Sequence, residues 1–197
     1  MNKTTKFLVR SAVIAALYAA LTFAVAPIAY TPIQFRVSEA LTILPLFFPE
    51  AIPGLTIGCF LANIPSGPWD MFIGAGATLI AAILTRLSRK IWTGVIPPVL
   101  ANAFLVPVIF LTNPEITDPY WLSVLTVGGG ELLSVVALGI PLYFALKRLA
   151  KRYPKFFEVT TGKRKEEKIE EEKDYEELKV DSIASNRYKQ SNELGQL

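Results

Sequence analysis

Arg36 and Glu39 stand three residues apart in the stretch Gln34-Phe35-Arg36-Val37-Ser38-Glu39, between long apolar runs. A charge at membrane depth costs a few kcal/mol or more, so such residues normally face a protein interior or a water-filled cavity and have partners. On a helix starting near Arg36, positions three apart share a face, so the two side chains can pair or both reach one ligand. The competing reading is a structural ion pair at a span boundary, with Arg36 snorkelling to the headgroups. Asn63, Asp70, Tyr120 and Glu131 add further polar groups inside or beside apolar segments. Convergent polar groups in an apolar bundle are the pattern expected of a ligand pocket.

The elements that must position these residues are membrane spans. Residues 1–150 hold nine Lys/Arg and six Asp/Glu, whereas residues 151–197 hold eleven of each. This asymmetry predicts a hydrophobic membrane domain over 1–152 and a charged cytoplasmic tail over 153–197, disordered or a solvated helix. The run from Phe7 to Ala29 is too long for a signal-peptide core and reads as a retained first span. Further long apolar runs cover about Trp69 to Leu87, Ile91 to Leu111 and Tyr120 to Leu146. Two shorter ones, about Val37 to Phe48 and Ala51 to Pro65, lie between the first and second of the long runs.

Basic clusters set the orientation. Lys3, Lys6 and Arg10, then Arg86, Arg89 and Lys90, then Lys147, Arg148, Lys151 and Arg152 all mark cytoplasmic positions. Between the first two clusters the chain crosses an even number of times, so the two short segments both cross or both fail to cross. The expectation is an all-α membrane protein: a six-transmembrane-helix bundle with both termini cytoplasmic. Four spans with a re-entrant hairpin is the alternative. Under either count Gln34, Arg36, Glu39, Asn63, Asp70 and Tyr120 fall at or just below the outer surface, with Glu131 about three turns into the last span.

Several function classes recede. There is no histidine and a single cysteine, Cys59, so a zinc or haem site of the usual ligand types is not expected, and neither metal nor cofactor is predicted. Gly162-Lys163-Arg164 lacks the upstream glycine and the hydroxyl of a phosphate-binding loop, so no ATPase is expected in this chain. The net charge of +3 does not point to nucleic acid, because the positives cluster beside apolar spans. Gly128-Gly129-Gly130 precedes Glu131 and either admits a ligand or helix close to the backbone or forms a flexible turn. Asn102, near the middle of its span, suits an interhelical hydrogen bond at least as well as a ligand contact.

On the first span Ala12, Ala16, Ala20 and Ala24 recur every fourth residue, with Ala15 and Ala19 in a parallel row. Small residues let helices approach closely in lipid, so either row suits docking of another membrane subunit or packing within this bundle.

Gln34-Phe35-Arg36-Val37-Ser38-Glu39-Ala40-Leu41 with Leu44-Pro45, Gly58-Cys59-Phe60-Leu61-Ala62-Asn63 and the pair Trp69-Asp70 together resemble the QueT-type queuosine-precursor transporters. These are substrate-binding (S) components of energy-coupling factor (ECF) transporters, and the likeness covers roughly residues 7 to 150. It implies a six-helix protein of the cell membrane that captures a deazaguanine base from outside and tips in the membrane to deliver it. The implied partners are a transmembrane coupling subunit and two cytoplasmic ATPase subunits. Ala12, Ala16 and Ala20, or Ala15 and Ala19, match the docking pattern of S components. A guanine-type edge presents two adjacent N–H donors beside a carbonyl, so Glu39, Asp70 or Glu131 would accept from it while Gln34, Arg36 or Asn63 donates. Phe35, Trp69, Tyr120 and Trp121 are the candidates for stacking on the purine-like ring. Trp69, Tyr120 and Trp121 suit an interfacial aromatic belt equally well. An intramembrane enzyme using the three carboxyls, or a scaffold without ligand, are the competing functions.

Overall fold

The computed structural model describes residues 2–29, 36–88, 90–111, 118–153 and 157. The chain divides into the units Met1–Pro154 and Lys155–Leu197, and the architecture below is that of the first. Its described residues form helices only.

Helix α1 spans Lys3–Ala24, an apolar run with neither Gly nor Pro to break it, and a short turn, Ala26–Ala29, carries it on. A 3₁₀ helix follows over Val37–Leu46, then α2 over Ala51–Ala62. The turn Ile64–Ser66 and Gly67, whose φ of 105° lies where only glycine is unstrained, reverse the chain into α3, Asp70–Leu87. Helix α4 is Ile91–Phe110 and α5 is Tyr120–Arg152. Two of these open into wider π geometry, α3 over Asp70–Gly74 and α5 over Val135–Gly139.

Four helices, α1, α3, α4 and α5, are long and apolar enough to cross a membrane. Val37–Leu46 and Ala51–Ala62 are shorter. Ten residues reach only about 20 Å even at the longer rise of a 3₁₀ helix, against a hydrocarbon core of about 30 Å.

The 3₁₀ helix is the centre of the bundle. It touches all five other helices, and Ser38 through Pro45 are buried without a break. A helix apolar nearly all round belongs inside, not on a surface. Below its first turn Ile43 packs with Ile91, Val95 and Val135, and Val106, Ile109 and Val127 form a second cluster.

Helices α1 and α2 meet backbone to backbone through Gly54 and Gly58. A Cβ on Gly58 would stand 2.7 Å from Tyr18 Cβ and 2.9 Å from the Ala15 carbonyl, and one on Gly54 would stand 2.8 Å from the Ser11 carbonyl. This is the small-residue packing that lipid favours. It also separates the two alanine rows. Ala15 is buried and Ala19 half-buried in the chain's own bundle, whereas Ala12, Ala16 and Ala20 are exposed on the outer face of α1.

Two of the residues in the basic clusters, Arg10 and Arg86, also fasten the C-terminal end of the 3₁₀ helix. Arg86 Nη1 donates to the Pro45 carbonyl at 3.1 Å, placing a cation at a helix C-terminus where the dipole favours one. Arg10 pairs with Glu50 at 3.2 Å, and Ser11 Oγ donates to the Glu50 carbonyl at 3.0 Å. Arg89 and Glu115 lie outside the described residues.

Candidate functional site

The 3₁₀ geometry decides how Glu39 is presented. Residues three apart eclipse on such a helix, and its first turn is closed by the Glu39 N–H donating to the Arg36 carbonyl at 3.1 Å. Arg36 and Glu39 are thereby turned to one side, and both are buried, Glu39 with 2 % exposure. Tyr18 on α1, with 0 % exposure, sits beside both. Its hydroxyl donates to Glu39 Oε1 and lies in the field of the Arg36 guanidinium. One turn further along α1, Thr22 donates to Ser38 Oγ at 2.7 Å.

Around this core lies a narrow pocket with a free volume of about 10 Å³, room for about one water molecule, so a ring-sized ligand requires its walls to move apart. Its polar lining is Arg36, Glu39, Asn63, Asp70, Asn102 and Glu131, completed by Cys59, Gly74, Val106 and Ile109. Every helix contributes except α1, which acts through Tyr18.

Asn63 reaches the pocket from the C-terminal end of α2. Its Nδ2 donates to the Asp70 carbonyl at 3.1 Å and to Cys59 Sγ at 3.4 Å. The π turn at Asp70–Gly74 brings Gly74 against this amide, where any Cβ would be 2.5 Å from Nδ2. Glu131 comes from α5, one turn before the second π segment, and is 3 % exposed. It interacts with Glu39, with the Asn102 amide and with the Arg36 charge. Asp70 is half-buried at the pocket margin and also lies within the field of Arg36.

Three atoms carry the chemical message. Glu39 Oε2, Asn63 Oδ1 and Glu131 Oε1 are buried with no hydrogen-bond partner. All three are acceptors on side chains that line this pocket. The Glu39 and Glu131 carboxyls lie within hydrogen-bonding reach of each other, so a donor placed between them, or one facing Asn63 Oδ1, relieves the cost of about 1–3 kcal/mol that a buried unpaired acceptor carries.

The structure therefore gathers Arg36, Glu39, Asn63, Asp70 and Glu131 in one place. It does not gather the aromatics. Trp69 is 61 % exposed, and Tyr120 is spent on α4, its hydroxyl donating to the Phe104 carbonyl at 2.8 Å with its ring edge-on to Trp121. Among the described residues no aromatic ring lines the pocket. Gln34 and Phe35 lie outside the described residues. Gly128 serves helix packing, its α-carbon facing Ala103 of α4. Sequence alone does not single out Tyr18 or Cys59 as site residues and leaves Asn102 open between an interhelical hydrogen bond and a ligand contact; the structure adds Tyr18 behind the pocket and the other two to its wall.

Apolar helices of membrane-spanning length enclosing a buried, acceptor-rich polar pocket define an integral membrane protein. The family comparison agrees. A model described as "QueT transporter" matches residues 8–148, and the chain belongs to the QueT transporter family. The chain is similar to a protein named Queuosine precursor transporter QueT from Lactococcus lactis subsp. cremoris (strain MG1363), with 42 % identity over 84 residues. That alignment takes in 41 % of this chain and 50 % of the relative, so the chain spans half the length of the curated protein it matches. No solved structure matches.

Proposed function

We propose that this protein is the substrate-binding component of an ECF-type importer, and that it captures a queuosine precursor of the deazaguanine class at the pocket between Arg36, Glu39, Asn63, Asp70 and Glu131. The observation that carries this reading is the set of three unpartnered buried acceptors, Glu39 Oε2, Asn63 Oδ1 and Glu131 Oε1. A deazaguanine carries a ring N–H, an exocyclic amine and a pyrrole N–H, and its carbonyl suits the Arg36 guanidinium. The name of the Lactococcus relative points to the same substrate.

On this reading the chain crosses the cell membrane six times with both ends in the cytoplasm. The two short helices cross in a locally thinned or extended form, and residues 153–197 are a cytoplasmic appendage. A coupling subunit docks on the exposed alanines Ala12, Ala16 and Ala20 of α1, and two cytoplasmic ATPase subunits drive the delivery. Gln34 and Phe35, next to Arg36 in sequence, are further candidates for substrate recognition. Trp69 and Tyr120 belong to the interfacial belt.

Calorimetric titration of the detergent-purified protein with 7-deazaguanine and with its aminomethyl and cyano derivatives tests the proposal. Saturable binding is expected, weakened by about tenfold or more in Glu39→Gln and in Glu131→Gln through loss of a charged hydrogen-bond acceptor. Absence of binding to all three bases would remove the substrate assignment. Purification of the intact complex tests the partners: a coupling subunit and two ATPases are expected to copurify.

A further inference from the structure

Tyr18 is a phenol buried at 0 % exposure in an otherwise apolar stretch of α1. Packing alone asks only for a ring there, and a phenylalanine would supply it. The hydroxyl is used elsewhere: it donates to Glu39 Oε1 and lies beside the charged Arg36 guanidinium. With Oε1 occupied, the unpartnered oxygen of Glu39 is Oε2. Asn63 follows the same logic, its Nδ2 held by Asp70 and Cys59 while Oδ1 stands open.

We infer that Tyr18 is a positioning residue for substrate recognition: it fixes the Glu39 carboxyl so that a single oxygen, Oε2, meets the ligand. Glu39 then takes one N–H donor and does not clamp a two-donor edge, leaving the remaining donors to Asn63 and Glu131. The inference rests on the deazaguanine reading for the ligand, but the hydrogen bond itself does not. Side-chain oxygens already engaged by a neighbour are lost to a ligand, while the engaged geometry holds the other oxygen without a further entropy cost on binding.

The test has two arms on the full-length protein. In the first, the affinity for 7-deazaguanine is measured for Tyr18→Phe, Glu39→Gln and the double variant. Tyr18→Phe alone is expected to weaken binding by about tenfold, and by less than about twofold when Glu39 is already Gln, since the two act as one unit. Equal losses in both backgrounds, or no loss in either, would overturn the inference. In the second arm the ligand-free protein is examined by infrared spectroscopy. The carboxyl band that disappears in Glu39→Gln is expected to shift in Tyr18→Phe, and an unshifted band overturns the inference whatever the protein carries. A shifted band together with a wild type that binds no deazaguanine would place the failure in the substrate assignment and leave the positioning role standing. Melting temperatures of the variants serve as the check that each remains folded.

Discussion

Gly74 of α3 lies so close to Asn63 of α2 that a single added methyl would stand 2.5 Å from the Asn63 amide nitrogen. The amide is already held between the Asp70 carbonyl and Cys59 Sγ, so it has no free direction in which to yield. Gly74→Ala should therefore swing the Asn63 side chain off its two acceptors and take Oδ1 out of the pocket. Overpacking of this kind costs about 1–3 kcal/mol. The expected result is a modest fall in melting temperature and a loss of deazaguanine affinity of about tenfold. If Gly74→Ala binds as the parent does, Asn63 has no part in the site.

The inner and outer faces of α1 should respond in opposite ways. Gly58→Leu would drive α2 off the Tyr18 and Ala15 backbone, destabilising the bundle and disturbing Tyr18 together. Ala16→Leu and Ala20→Leu place bulk on the exposed outer face and should leave melting and ligand affinity nearly unchanged. If that face receives the coupling subunit, the same pair should abolish its copurification. Capture that survives both bulky substitutions would move the docking surface elsewhere.

Physical cost explains which of these features can be read from the chain. Arg36, Glu39, Asn63, Asp70 and Glu131 stand out because a polar group inside an apolar run is expensive and must have a use. The four long helices stand out because hydropathy averages over many residues. Tyr18 does not, since a lone tyrosine in a span reads as packing or as an interfacial anchor until its partner on another helix is known. Trp69 and Tyr120 carry the converse ambiguity: a ring at a span end reads alike as a stacking surface or as part of a belt. Only the hydrogen bond from Tyr120 to the Phe104 carbonyl and the exposure of Trp69 separate the two. The 3₁₀ course of Val37–Leu46 has no sequence signature, because burial against five neighbouring helices, and not intrinsic preference, holds it.

Cys59 offers a direct report on occupancy. It is the only cysteine in the chain, it is buried, and its sulfur lines the pocket beside Asn63. Methyl methanethiosulfonate should label it slowly in the free protein. A bound base should slow labelling by about tenfold at a ligand concentration ten times Kd, because only the unliganded fraction reacts. Mass spectrometry of the intact protein gives both rates. Equal rates with and without a ligand that demonstrably binds would place that ligand outside this pocket.

The Arg10–Glu50 pair, at the far end of the bundle from the pocket, makes a prediction about stability without recognition. Glu50 is the more buried partner, with 4 % side-chain exposure against 19 % for Arg10, and its Oε2 has no hydrogen-bond partner. Removing the cation leaves a carboxylate in an apolar site, and breaking a buried pair from one side typically costs about 3–5 kcal/mol. The partial exposure of Arg10 places Arg10→Met toward the lower end of that range. Glu50→Met removes the buried charge itself and leaves the arginine near the surface, so it should cost less. The double variant Arg10→Met with Glu50→Met should then be more stable than Arg10→Met alone, because no charge is left stranded. Thermal unfolding of the three proteins in detergent decides it: a double variant whose loss equals the sum of the single losses would show that the two side chains act independently.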